Sequence, residues 1–243
     1  MKELLEENEN GFFSLWSDKE TYRRAILLCN PVFHDDPLFN HATGTLDSED
    51  VIEFIIRYFD SRNVRPAIYA NPWNLFPLRE VLLGYGFRLW DELFVEVRGA
   101  DPQSPTQSTL RPVEDTDALR TWIEIYESAF KIPSYWHREI EVRTKTMLRR
   151  DDVTLFVKYA GEIPVGSLAA YFTGDLCGLY CIGTPPKYRG KGIGSSMINE
   201  AVRVAGMRGA RAVCLQTLAS DKLTGFYERL GFRVAYKKQV YLR

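Results

Sequence analysis

Three glycines at every second position, Gly190, Gly192 and Gly194, stand between an apolar strand and an amphipathic helix and constrain this chain more than any other feature. The stretch reads Ile182-Gly183-Thr184-Pro185-Pro186-Lys187-Tyr188-Arg189-Gly190-Lys191-Gly192-Ile193-Gly194-Ser195. The two prolines stop the strand. The glycines let backbone amides approach an anion with no side chain between them. A helix start adds unpaired N–H donors and about half a positive charge. Lys187, Arg189 and Lys191 supply more positive charge, so the segment Tyr188–Ala201 predicts a site for a phosphate-rich ligand at the mouth of a strand-to-helix crossover.

The surrounding pattern fixes the class of fold. A short strand is expected over Leu110–Val113, then a helix over Asp115–Phe130 with Leu119, Trp122, Ile123 and Tyr126 on its apolar stripe. A second helix is expected over Tyr135–Arg149. Strands follow at Val153–Tyr159, Val165–Phe172 and Leu176–Ile182, with turns at Gly161-Glu162 and Gly174-Asp175. Next come a helix over Gly192–Met207 with Ile193, Met197, Ala201 and Val204 inward, and a strand at Ala212–Thr217. A short helix near Leu223–Leu230 and a last pair of strands from Phe232 end the series. Hairpin-linked strands combined with a strand–helix–strand crossover make a mixed α/β sheet with helices on its faces.

A linker is expected at residues 99–108, Gly99-Ala100-Asp101-Pro102-Gln103-Ser104-Pro105-Thr106-Gln107-Ser108, which hold two prolines and no large apolar side chain. It separates residues 1–98 from residues 109–243. The two parts end alike: Leu78 aligns with Leu223, and Gly86-Phe87-Arg88 with Gly231-Phe232-Arg233, at a constant offset. Each ending reads as a short helix, a glycine that closes it in a left-handed conformation, and a strand. A tandem arrangement is the expectation.

Spacing decides among the phosphate binders. A dinucleotide fingerprint counted from Gly190 and Gly192 needs a third glycine where Ser195 stands. A Walker A loop needs Ser or Thr after its Gly-Lys, and Gly192 follows Gly190-Lys191. Arg189, Gly192 and Gly194 fit Arg-x-x-Gly-x-Gly, which resembles the acyl-CoA signature of the GNAT acetyltransferase superfamily. The resemblance covers most of Leu110–Arg243 and includes a short helix ending in Tyr-x-x-x-Gly-Phe, here Tyr227 to Phe232.

The resemblance implies an acyl-CoA N-acyltransferase fold, complete in the C-terminal part and truncated in the N-terminal part. Acetyl-CoA would be the co-substrate and an amine of a small molecule or peptide the acceptor. The strand before the loop would splay from its neighbour, with Ile182, Gly183 and Thr184 holding the pantetheine arm and the Ile182 amide facing the oxyanion. The pyrophosphate would lie over Arg189, Gly190, Lys191, Gly192, Ile193, Gly194 and Ser195, with Arg189 organising the loop. Ser220, an N-cap by type, stands where the family often has a cofactor-contacting asparagine. Tyr227 matches the tyrosine that protonates the departing thiolate, its ordinary pKa being close to that of a thiol. The family's usual glutamate base has no equivalent between Asp175 and Thr184. Glu127, Glu139 and Glu141 sit on the two helices that shape the family's acceptor pocket, and surface solvation explains each equally well. A non-catalytic acyl-CoA-binding sensor or scaffold is the alternative.

In the N-terminal part, Asn40–Asp50 precedes an amphipathic helix at Val51–Phe59 but holds no glycine loop, and Asp47, Glu49 and Asp50 repel a pyrophosphate. This half is expected not to bind coenzyme A, and to complete the acceptor site or mediate homodimerisation. Trp16, Tyr22, Trp73 and Trp90 are candidate lining residues, with plain core as the simpler role. A formal net charge of −1 gives no general attraction to nucleic acid or acidic membranes. No apolar run approaches the roughly 20 residues that span a bilayer, and the acidic N-terminus is unlike a secretory signal, so a cytoplasmic setting is the default expectation. Four cysteines make no disulfide framework. Cys177 and Cys181, four apart on one strand face, lack further ligands at metal spacing, so no metal is expected.

Overall fold

The computed structural model describes residues 1–74, 77–102 and 108–243. Residues 103–107 of the expected linker lie outside the described residues. The chain forms two compact units, and they do not divide at that linker. The first comprises Met1–Glu9, Val97–Leu215 and Arg229–Phe232; the second comprises Asn10–Glu96, Gln216–Glu228 and Arg233–Arg243. The N-terminal residues thus fold with the later half, and the C-terminal strand with the earlier one.

In the first unit, β6 (Leu110–Pro112), β7 (Val153–Ala160), β8 (Ile163–Thr173), β9 (Leu176–Gly183) and β10 (Ala212–Leu218, which leaves this unit after Leu215) are ordered β10-β9-β8-β7-β6. β9 and β10 are parallel and the remaining pairs antiparallel, the mixed sheet expected from the pattern. The hairpins turn at Gly161-Glu162 and Gly174-Asp175, where both glycines have positive φ. Helix α4 (Thr116–Phe130) is capped by Asp115, whose carboxylate accepts from the amides of Asp117 and Ala118. It buries Leu119, Trp122, Ile123 and Tyr126 as expected, and the Trp122 indole donates to the Leu168 carbonyl at 3.1 Å. A 3-10 turn at Ser134–Trp136 leads into α5 (His137–Met147). Helix α6 (Ile193–Met207) buries Met197 and Ala201, but Ile193 and Val204 are only half-buried. Its inward face is turned toward Ile198, Val202 and Ala205 and carries the charged Glu200.

Helix α1 (Lys2–Phe13) begins in this unit. Asn8 is fully buried on it and donates to the Tyr171 carbonyl and the Thr173 hydroxyl, both at 3.1 Å, while the Tyr180 hydroxyl donates back to Asn8 Oδ1 at 2.8 Å. A Cβ on Gly178 would lie 2.1 Å from that oxygen. One amide thus ties the first nine residues to the end of β8 and the middle of β9, which no local pattern reveals.

The second unit orders β1 (Asp18–Tyr22), β2 (Ala25–Cys29), β3 (His41–Gly44), β4 (Ala67–Ala70), β11 (Arg233–Leu242) and β5 (Arg88–Gly99, which leaves this unit after Glu96) as β1-β2-β3-β4-β11-β5. β3 and β4 are parallel and joined across α2 (Glu49–Asp60), whose Val51, Ile52, Ile55 and Phe59 are buried. The expected strand pair after Phe232 is one uninterrupted strand, because residues 233–243 contain no glycine, proline, asparagine or aspartate to turn them. That strand pairs with β4, Gln239 opposite Ala70 and Leu242 opposite Ala67. The matched endings do share their geometry: α3 (Leu78–Gly84) is followed by Gly86 at φ +87°, and α7 (Thr224–Arg229) by Gly231 at φ +85°. Trp16 is core, Tyr22 stacks on Phe54, Trp73 meets Tyr236 edge-on, and Trp90 is exposed.

His41 is fully buried in this unit and stacks on Tyr69 at 4.1 Å. Burial, and then the positive charge of Lys238, push its pKa down to about 3, so the native ring is neutral. A depressed imidazole supports the fold above its unfolded pKa, 6.5, and that support is lost as pH falls toward 3. Urea melts are expected to show a stability loss of about 1.4 kcal/mol per pH unit from this residue within that window. His41→Gln removes that slope.

Candidate functional site

The site is built at the end of β9. Opposite β8, the register runs from Ala169↔Tyr180 directly to Ser167↔Gly183, so β9 carries an extra residue there. Cys181 takes up the excess with φ +52°, a left-handed backbone rarely adopted by a cysteine, and its carbonyl accepts from the Ser167 hydroxyl at 3.2 Å. The bulge also overturns the expectation that Cys177 and Cys181 share a strand face, since alternation by two holds only for regular strand. Burial pushes the Cys177 thiol up to about 12 and raises Cys181 as well, so both are inert thiols at neutral pH.

On its other edge β9 pairs with β10 only through Leu176↔Ala212, Cys177↔Val213 and Gly178↔Cys214. Both strands continue past that point, and the ladder does not. This is the splay expected from the family resemblance, and it leaves the β9 backbone from Leu179 to Gly183 without a β10 partner among the described residues. Gly183 closes the strand under α4, where a Cβ would come within 2.8 Å of the Ala129 Cβ and 2.9 Å of the Phe130 ring.

Beyond Gly183 the chain turns through a 3-10 segment, Pro186–Tyr188, into α6. Arg189 ties this turn down: its Nε donates to the Thr184 carbonyl at 2.9 Å and its Nη2 to the Ala129 carbonyl at 2.7 Å. Both acceptors are strand- or helix-end carbonyls, so the guanidinium is spent on building the loop. Gly190 and Gly192 have φ of +73° and +75°, and a Cβ on either would meet nothing within 4 Å. They are required for their backbone angles rather than for room. Gly192 caps α6 with no side-chain hydrogen bond, so the opening amides of Ile193, Gly194 and Ser195 have no helical acceptor. Lys187 and Lys191 lie 4.8 and 6.0 Å from the Tyr188 ring centroid, on an exposed face.

A buried ion pair between Lys158 of β7 and Glu200 of α6 holds the helix that carries this loop. The Ser196 hydroxyl bridges the two, accepting from Lys158 at 2.9 Å and donating to Glu200 Oε1 at 3.0 Å. Glu200 Oε2 accepts from the amides of Thr109 and Leu110, both at 2.9 Å. Burial by itself would raise this carboxyl, but the hydrogen bond and charge of Lys158 outweigh it and hold its pKa below the usual range. A lysine inside the apolar run Leu155–Tyr159 is the sequence signal for this pair.

The structure brings Ile182 through Ser195 together, while Ser220 and Tyr227 belong to the second unit. Ser220 is not the helix cap expected of it. It sits in a separate 3-10 turn, Ala219–Asp221, donating its amide to Asp91, and the first turn of α7 hangs from the Leu223 carbonyl. Tyr227 is buried, and burial, then the charges of Glu96 and Asp221, raise its pKa. The phenol is therefore held more firmly protonated than an ordinary tyrosine. Glu127, offered by sequence as a surface carboxylate, hydrogen bonds His137 Nδ1 at 2.8 Å, and Glu139 and Glu141 pair with Arg143 and Lys145 on α5. Sequence reasoning passed over Glu96, a buried carboxylate of β5.

Residues 117–232 match the family model of the acetyltransferase (GNAT) family. This segment is similar to the GNAT acetyltransferases. A mycothiol acetyltransferase of Corynebacterium efficiens is 29% identical over 153 residues, covering 58% of this chain and 50% of that protein. An uncharacterized N-acetyltransferase of Methanocaldococcus jannaschii is 30% identical over 136 residues, covering 51% and 60%. The chain thus spans only about half to three-fifths of these relatives. Among solved structures, a functionally unknown conserved protein from Staphylococcus epidermidis superposes with a TM-score of 0.70 at 18% identity, over 93% of this chain and 94% of that one. A GCN5-related N-acetyltransferase from Kribbella flavida gives 0.68 at 14% identity, over 98% and 95%. The GNAT fold is therefore shared along nearly the whole chain.

Removing one partner of a buried ion pair leaves a charge without compensation, at a cost of about 3–5 kcal/mol. Lys158→Met is expected to destabilise the protein by that amount in chemical melts, and the added change Glu200→Leu to restore most of it.

Proposed function

We propose that this chain is an acetyl-CoA-dependent N-acetyltransferase that transfers acetyl to the amine of a small molecule or peptide. The observation that carries the reading is the bulged end of β9, which loses its β10 partner after Gly178 and runs through the Arg189-braced turn into the uncapped start of α6. Free strand amides and carbonyls suit the amide-rich pantetheine arm, and uncapped helix amides suit the pyrophosphate. Ile182, Gly183 and Thr184 are assigned the first task, and Gly190, Lys191, Gly192, Ile193, Gly194 and Ser195 the second. Arg189 supports them by shaping the turn. The β9 amide at Ile182 is assigned to the oxyanion of the tetrahedral intermediate. Ser220 is retained as a cofactor contact on the family resemblance alone.

Tyr227 is assigned as the general acid. It stays protonated at rest and passes its proton to the coenzyme A sulfur as the C–S bond breaks. Residues 1–98 are read as a degenerate GNAT-like half that does not bind the cofactor. Its α2 start carries Asp47 and Asp50, which pair with Arg24 and Arg23 and leave no net positive charge for a pyrophosphate. One cofactor per chain follows.

Acetyl-CoA at 100 times its dissociation constant is expected to stabilise the native state by about 2.7 kcal/mol, with a calorimetric stoichiometry of one per chain. An unchanged melting temperature at saturating acetyl-CoA defeats the reading. Tyr227→Phe is expected to lower kcat about 100-fold or more while leaving acetyl-CoA affinity nearly intact; a protein that binds the cofactor but releases no thiol with any amine is a sensor instead.

A further inference from the structure

The second unit holds a cavity of about 440 Å³ where the end of β4, β11 and the first turn of α3 meet. Pockets for small molecules start at roughly 300 Å³. Strand alternation builds one wall: Lys237, Gln239 and Tyr241 are spaced by two on β11 and share a face. Ala70, the last residue of β4, and the buried Asn71 form another part of the lining. Pro72, Pro77 and Leu78 add apolar surface.

Several polar groups of this lining are left over by the fold. The Asn74 Nδ2 is buried, and among the described residues it has no hydrogen-bond partner. A buried amide donor without an acceptor is costly, and one beside a cavity is satisfied by what fills it. The Tyr241 hydroxyl donates to Gln239 Oε1 at 2.7 Å, which fixes that amide and leaves its Nε2 as a donor. Lys237 pairs with Glu92 of β5 at 3.6 Å. The side chains of Arg79 and Glu80 have neither an ion pair nor a hydrogen bond among the described residues. As neighbours on a helix they point about 100° apart and do not neutralise each other. Both charges nevertheless reach the same phenol: burial raises the pKa of Tyr241, Arg79 lowers it, and Glu80 raises it.

We propose that this cavity binds a free apolar α-amino acid as its zwitterion, with the carboxylate on Arg79 and the ammonium on Glu80. The four charges of the lining, Arg79 and Lys237 against Glu80 and Glu92, sum to zero. A ligand of either net charge unbalances them, whereas one carrying both charges finds a partner for each. The planar Arg79 guanidinium matches a carboxylate in two parallel hydrogen bonds. Asn74 Nδ2 and Gln239 Nε2 supply further donors for its oxygens, and the prolines and Leu78 meet the apolar side chain. No residue of this site is among those assigned to acetyl-CoA.

Calorimetric titration of the full-length protein with L-leucine, N-acetyl-L-leucine and L-leucinamide separates the two charges. Leucine is expected to bind once per chain. Blocking its amine or its carboxylate is expected to weaken binding about 10- to 100-fold, the loss of one hydrogen-bonded charge. Arg79→Met and Glu80→Gln, both at exposed positions, are each expected to lower leucine affinity by a similar factor, and acetyl-CoA affinity is expected to stay at the wild-type value. Absence of binding by leucine, methionine and valine overturns the proposal. So does leucinamide binding as well as leucine, or Arg79→Met binding leucine like wild type. N-acetyl-L-leucine binding as tightly as leucine marks a plain anion site and overturns it too. The three-ligand comparison on wild-type protein decides the matter even if a variant fails to fold. All leucine titrations are run without acetyl-CoA, so their failure leaves the acetyltransferase reading untouched, and failure to bind acetyl-CoA leaves this site untouched.

Discussion

The left-handed backbone at Cys181 is the constraint on which the rest of the site depends. A regular strand would continue its ladder with both neighbours. The extra residue breaks that continuity, lets β9 keep β8 on one side and lose β10 on the other, and delivers Gly183 tight beneath α4. Everything downstream is arranged around that end: Arg189 braces the turn against two carbonyls, and the Lys158–Glu200 pair fixes the helix that follows. A non-glycine residue in this conformation costs of order 1–3 kcal/mol and persists where surrounding structure determines it. Here the Ser167 hydrogen bond and the α4 contact do so.

Much of this was legible before any coordinates. Glycine spacing set this loop apart from the two nucleotide loops, and the loop's helix begins one residue from its expected start. The apolar stripe of α4 is the one read from periodicity. These features are local, and local physics writes them into short stretches of sequence. The bulge was not legible, because nothing about Cys181 distinguishes it from a regular strand residue until its partners across β8 are known. Ser220 was misread for a similar reason: a good capping residue type was placed at a helix start that lies three residues further on.

The larger misreading concerns which segments belong together. Residues 99–108 look like a boundary by composition, yet the compact units exchange their ends across it. Asn8 is an unremarkable residue in an acidic helix, and its three hydrogen bonds to Tyr171, Thr173 and Tyr180 are visible only with those residues in place. Glu96 and Lys158 left a fainter trace, each a single charge within an apolar strand. Such a charge cannot sit in a core without a reason, which for Lys158 is its partner Glu200.

The placement of β11 has a consequence for how the protein is made. The sheet of the second unit runs β1-β2-β3-β4-β11-β5, so its fifth position stays empty until residues 233–242 have been synthesised. Strands β1 to β4 emerge early from the ribosome but must wait for nearly the whole chain before the exposed edge of β4 is covered. Such long-range pairing slows folding and lengthens the time for which an unpaired edge is open to other chains. Vectorial synthesis, which usually lets the first half of a two-part protein fold before the second appears, offers this one little protection, and its yield in a cell depends on how well the nascent β4 edge is shielded.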